Sequence, residues 1–342
     1  MKKLLAFILT AALLAGCGAP GADSGAQIYE ATFLDLFDTL TVVKGSAESE
    51  GAFQETAQFV HYELEQYHRL FDIYNNYEGL NNLKTVNDMA GIAPVEVGDV
   101  IIALLKDCRS YYELTGGKVN VAMGSVLGLW HDARDRGIND PANAKLPDMA
   151  ALKAAAAHVS IDSIIIDEAA HTVYISDPDV RLDVGAVAKG WAAQRVAERL
   201  PANMLLSIGG NVCATGPKTA DGTPWVIGVQ NPDGAGEAYL HTLNVAGGSY
   251  VTSGDYQRAY LVDGETYHHI IDPDTLMPSR YWRSVTVICD DSGLADALST
   301  ALFVLPRESG QALLEETGAQ AIWVDGAGNI YYSPGVEEYI RT

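Results

Sequence analysis

The sequence predicts an α+β fold, with helices packed on mixed, largely antiparallel sheets. Two long segments carry apolar residues at helical spacing, a later region holds six short β-rich runs, and Asn/Asp/Gly/Pro turn signals separate several of those runs.

The helical segments are AFQETAQFVHYELEQYHRLF at residues 52–71 and VGDVIIALLKDCRSYYELTGG at 97–117, the second ending on a Gly-Gly stop. A third helix is expected near Met149 to His158. The β-rich runs are SIIID, TVYIS, MLLSIGG, WVIGVQ, YLHTLNV and SVTVIC, with turns at Asn231-Pro232-Asp233-Gly234 and Asp263-Gly264. Further helices are expected between Val187 and Leu200, Leu294 and Val304, and Ser309 and Glu316. No internal repeat at a fixed period is present.

The chain has 342 residues and 48% hydrophobic content, enough for a large core. Its 22 basic residues face 44 acidic ones, a net charge of −22. Such a field repels phosphate backbones, so nucleic acid is not an expected partner. An anionic substrate therefore needs a local site, a metal ion or a helix N-terminus, that reverses the field.

The N-terminus, MKKLLAFILTAALLAGCGAPGADSG, has two lysines, an apolar run of secretory length, and small residues up to Cys17. The LAGC ending resembles a bacterial lipobox. The expected organisation is a signal peptide at residues 1–16, a tether at 17–26 lipidated on Cys17, and one domain over 27–342, placed outside the cytoplasm on the cell membrane. Of the other cysteines, Cys108, Cys213 and Cys289 have no metal-ligand spacing and read as buried thiols.

Four stretches can carry chemistry. In RLDVGAVAKGWAAQRVAERL (181–200) a strand ends at Asp183, Gly185 and Ala186 open a helix, and Lys189 follows, an arrangement that offers N–H groups and a cation to phosphate. A plain strand-to-helix connection with a solvated lysine explains it equally well. In GLADALSTALFV (293–304), Asp296 and Thr300 share a helix face and suit a hard divalent cation. The bland account is a dipole-favoured Asp and a Thr bonded to its own helix. In LLSIGGNVCATG (205–216) paired glycines allow close backbone approach to a ligand, or simply a turn. In YHHIIDPDT (267–275), His268 and His269 in a strand-like run face opposite sides, and one can act as a general base.

The order of these stretches, together with FDIYNNYEGLNNLKTVN, TGGKVNVAMGSVLGLW, VTSGDYQR and ADALSTALFV, resembles the ApbE family of FAD:protein FMN transferases from about Ala31 to Val304. The resemblance implies a single ApbE-like, T-fold-like catalytic unit. It implies Mg²⁺-dependent transfer of FMN from FAD onto a Thr or Ser hydroxyl of an acceptor protein, a subunit of a membrane redox complex, with release of AMP. By position, Tyr74, Lys118, Val119, Asn120, Asp183, Lys189 and Ile271 match FAD contacts. Ala186 (through its carbonyl), Asp296 and Thr300 match metal ligands, and His269 matches the catalytic histidine. The chain departs from the family's Gly-Ala-Phe-Asp-Pro at Gly117-Lys118-Val119-Asn120-Val121, and from Asp-Pro-Arg-Thr-Gly at Asp272-Pro273-Asp274-Thr275-Leu276. The same pocket also suits a Mg²⁺-dependent FAD pyrophosphatase or a non-enzymatic FAD-binding lipoprotein.

Overall fold

A computed structural model describes residues 27–234 and 237–341. The signal segment, the tether and Cys17 lie outside these described residues.

The chain opens on a hairpin, β1 (Gln27–Leu36) and β2 (Thr39–Ala47), whose turn residues Phe37 and Asp38 both have φ of 52°. Helix α1 (Glu50–Phe71) follows, with Ser49 accepting from Ala52 N as its N-cap. It buries Phe53, Ala57, Val60, Leu64, Tyr67 and Phe71 at alternating spacings of four and three, one stripe facing the core. Next come α2 (Leu83–Asp88), β3 (Val95–Glu96), α3 (Asp99–Leu114), α4 (Gly124–Asn139) and α5 (Met149–Ala155). Then follow β4 (Ile164–Asp167), β5 (Thr172–Ile175), α6 (Ala188–Ala197), β6 (Met204–Ile208), β7 (Asn211–Ala214), β8 (Trp225–Gln230) and β9 (Tyr239–Val245). The C-terminal part holds β10 (Gly248–Gly254), β11 (Tyr260–Val262), β12 (Glu265–Tyr267), β13 (Ser284–Cys289), α7 (Ser292–Phe303), α8 (Arg307–Thr317), β14 (Gln320–Val324) and β15 (Ile330–Tyr332).

Eight strands form one sheet in the order β1-β2-β6-β7-β10-β13-β14-β15, and every ladder in it is antiparallel. Both faces are buried. Leu206 and Val251 join the large core under α1, α6 and α7, while their neighbours Leu205 and Tyr250 join a second cluster with Trp225 and Leu243 of the β8–β9 ribbon. This two-sided burial is why MLLSI is a continuous apolar run rather than an alternating one. A third cluster packs Val126 and Trp130 of α4 against Tyr260, Ile271 and Leu276.

All the expected helices form, with ends shifted by a few residues. The sequence reading passed over β1, β2, α2, β3, α4, β7, β10, β11, β14 and β15. Cys108 and Cys213 are buried free thiols, but Cys289 is only half-buried, because it closes β13 at the sheet margin.

The α6–α7 contact positions the site. A Cβ on Gly190 would lie 2.2 Å from the Ser292 carbonyl oxygen and 2.5 Å from Asp296 Cβ, so only glycine allows this approach.

Candidate active site

A cavity of about 650 Å³ opens between the sheet edge, the α6–α7 pair and the loops after α1, α3, β10 and β12. That size lies within the ~300–1,000 Å³ of small-molecule sites. All eleven candidate positions within the described residues line it: Tyr74, Lys118, Val119, Asn120, Asp183, Ala186, Lys189, His269, Ile271, Asp296 and Thr300.

Asp296 is the centre of the α6–α7 junction. Its Oδ2 accepts from Gly190 N at 2.8 Å, and Lys189 Nζ lies 3.8 Å away. One N–H of the helix start that the sequence offered to phosphate, that of Gly190, is therefore already taken by this buried carboxylate. The dipole-capping account of Asp296 fails as well, because Asp291 is the N-cap of α7 and takes Leu294 N at 2.7 Å. Thr300 makes no bond back to its helix among the described residues, unlike Thr115 and Thr317, whose hydroxyls bond to Tyr111 O and Leu313 O. A carboxylate, a hydroxyl and the Ala186 backbone thus line the same cavity, an oxygen donor set whose chemistry fits a hard cation such as Mg²⁺.

The histidine pair is divided by a loop, not by strand geometry, since β12 ends at Tyr267. His268 turns inward. Its Nε2 donates to Ser279 O at 2.8 Å and its Nδ1 accepts from Ile270 N, so it is neutral, and burial pushes its pKa down to about 4. His269 lines the cavity, with Nδ1 donating to Gln257 O at 3.2 Å, which leaves the Nε2 lone pair without a protein partner among the described residues. Burial first, then the positive charge of Arg258, pushes its pKa down to about 3.

Asx-type bonds from Asp72 to the backbone of Tyr74 (2.7 Å) and Asn75 (3.0 Å) hold Tyr74 at the mouth. The Tyr74 hydroxyl meets His131 Nδ1 at 2.9 Å, and His131 Nε2 lies 3.8 Å from Asp183 Oδ2. Desolvation of its hydroxyl end and then Asp183 push the Tyr74 phenol up to about 12, and burial lowers His131. Sequence reading missed His131, a lone histidine on α4 with no motif around it.

The two departures from the family pattern have structural accounts. Asn120 Nδ2 donates to Val159 O at 2.8 Å while its Oδ1 accepts from Ala122 N at 2.9 Å, so both ends of the amide are used and a carboxylate could not make the first bond. Lys118 Nζ reaches Asp274 Oδ2 at 2.6 Å and Asp272 Oδ1 at 3.4 Å, tying the two altered loops together. Another wall residue, Asn211, is 2% exposed and its amide nitrogen has no partner among the described residues, which is unusual for a buried donor away from a ligand site.

Solved structures share this architecture. The crystal structure of the ApbE protein of Thermotoga maritima superposes with a TM-score of 0.81 at 29% identity, covering 92% of this chain and 100% of that one. The flavin transferase ApbE of Vibrio cholerae gives 0.76 at 24% identity, covering 92% and 99%. The fold is that of the ApbE flavin transferases.

The ApbE family model matches residues 37–323, and the chain belongs to the ApbE family. Among its relatives are the FAD:protein FMN transferases of Treponema pallidum (strain Nichols) and Klebsiella pneumoniae (strain 342). The first is 35% identical over 277 residues, 76% of this chain and 75% of the relative. The second is 32% identical over 260 residues, 72% and 78%.

Proposed function

We propose that this protein transfers FMN from FAD to a Ser or Thr hydroxyl of an acceptor protein in a membrane redox complex, releasing AMP. The carrying observation is that His269 faces the same cavity as the Ala186, Asp296 and Thr300 oxygens, in a chain that belongs to the ApbE family.

In this reading Tyr74, Lys118, Val119, Asn120, Asp183, Lys189 and Ile271 form the FAD-binding wall. Ala186, Asp296 and Thr300 would hold Mg²⁺. Bound there, the ion supplies Lewis-acid stabilisation of charge on the pyrophosphate. The Gln257 carbonyl keeps the proton of His269 on Nδ1, so Nε2 is the acceptor for the hydroxyl proton. The hydroxyl oxygen forms a bond to the flavin-side phosphorus, the bond from that phosphorus to the bridging oxygen breaks, and AMP leaves. Lys189, beside Asp296, adds positive charge near the leaving group. The cysteine of LAGC, Cys17, would carry the lipid that holds the enzyme outside the cytoplasm beside its acceptor.

Incubation with FAD, Mg²⁺ and a hydroxyl-bearing acceptor tests the proposal by mass spectrometry. Flavin mass on the acceptor is expected. Free FMN alone would establish a pyrophosphatase instead, and unchanged FAD a binding protein.

A further inference from the structure

Most of the cations that line this cavity already have an anionic partner. Lys118 is held by Asp272 and Asp274, Lys189 sits against Asp296, and Arg134 bonds to its neighbour Asp135. His131 and His269 are held neutral by burial. Arg258 alone among the cations lining the cavity has no ion pair or hydrogen bond within the described residues.

Its placement is specific. Arg258 has φ of 44°, a left-handed conformation that non-glycine residues adopt at a cost, typically where the surroundings impose it. The loop is pinned on the N-terminal side of Arg258. Asp255 N donates to Arg283 O at 2.9 Å and Arg283 Nε donates to Asp255 Oδ2 at 2.7 Å, while Gln257 O accepts from His269. The positive charge of Arg258 acts on Tyr74, His131 and His269 alike, which sets it among groups on several sides of the cavity. A fixed loop that presents an uncommitted guanidinium is pre-organised for a bidentate anion.

We infer that Arg258 is the ligand for the diphosphate bridge of the nucleotide substrate, on the same rigid loop that sets the tautomer of His269. The inference rests on the proposed FAD chemistry.

The test compares FAD, which carries the bridge, with riboflavin, which does not, by flavin fluorescence titration of the wild type, Arg258→Gln, Arg258→Lys and Arg258→Gly. Arg258→Gln is expected to weaken FAD about 10- to 100-fold, as for loss of charge-assisted hydrogen bonds, and to change riboflavin less than about twofold. Arg258→Lys should fall between. Arg258→Gly, which suits the backbone, should fold at least as stably as wild type yet lose FAD affinity as Gln does. Unchanged FAD affinity in Arg258→Gln, or an equal loss of riboflavin, would overturn the inference while leaving the transferase reading intact. A wild type that binds no FAD at all would overturn both.

Discussion

Lys118 Nζ lies 2.6 Å from Asp274 Oδ2, joining loops 156 residues apart across the cavity rim. Both residues lie in the stretches where this chain departs from its family's pattern, and their ion pair joins the two altered loops. Asp272, whose side chain is 11% exposed, shares the ammonium, whereas the Asp274 side chain is 75% exposed. Lys118→Met should therefore cost ~1–3 kcal/mol by stranding Asp272, and Asp274→Asn less than ~1 kcal/mol. Urea unfolding midpoints of the two variants check this asymmetry.

His269→Gln should bind FAD with near-normal affinity but transfer FMN ~10²–10⁴-fold more slowly, as expected for a lost general base. Single-turnover mass spectrometry beside a fluorescence titration separates the two effects. Near-normal transfer would remove His269 from the chemistry.

At the proposed metal wall, Thr300→Val should raise the Mg²⁺ needed for half-maximal activity by at least about tenfold, comparable to other losses of metal-site support. It should leave thermal stability nearly unchanged, since the hydroxyl bonds to nothing in the described residues. Asp296→Asn can still accept from Gly190 N, so it should fold but lose metal dependence. An unaltered Mg²⁺ titration in both variants would exclude this wall as the ion's site.

Stability should fall in mild acid. His268 and His269 have folded pKa values of about 4 and about 3, below the ~6.5 of an unfolded chain. Unfolding then takes up protons in that interval. The stability these neutral histidines supply is fully present above pH ~6.5 and is lost as pH falls toward their folded values, by up to ~1.4 kcal/mol per pH unit for each. Urea unfolding at several pH values shows the slope, which His268→Gln should reduce.

Leu276 occupies a left-handed position, φ 61°, and is buried with Trp130, whose Nε1 donates to Leu276 O at 3.0 Å. Leu276→Gly, the family's residue here, relieves ~1–2 kcal/mol of backbone cost but gives up a buried side chain worth ~2–5 kcal/mol. A net loss of about 2 kcal/mol is expected, read from the unfolding midpoint. A gain would show that strain outweighs packing.

What could be read from the chain follows from how local each signal is. The stripe of α1 and the turn chemistry lie within a few residues, so element types in those regions were legible. Helix α4 was not: its buried positions Val126, Trp130, Ala133 and Gly137 have helical spacing, but two of the four are too small to mark it. Gly137 is small because a Cβ there would meet Tyr260 at 2.6 Å, a partner more than a hundred residues away.

By itself, the sequence determined the fold class and the motif order that marks the family, because periodicity, turns and spacing are local properties. Only the tertiary structure decided that a loop, rather than a strand, divides His268 from His269. It also decided that Asp296 takes the Gly190 N–H of the helix start offered to phosphate, that Lys118 pairs with Asp274, and that Arg258 is left uncommitted. Each is a pairing between groups far apart in the chain, chosen by which partners the packed sheet and helices bring within hydrogen-bond reach, and no local pattern encodes that choice.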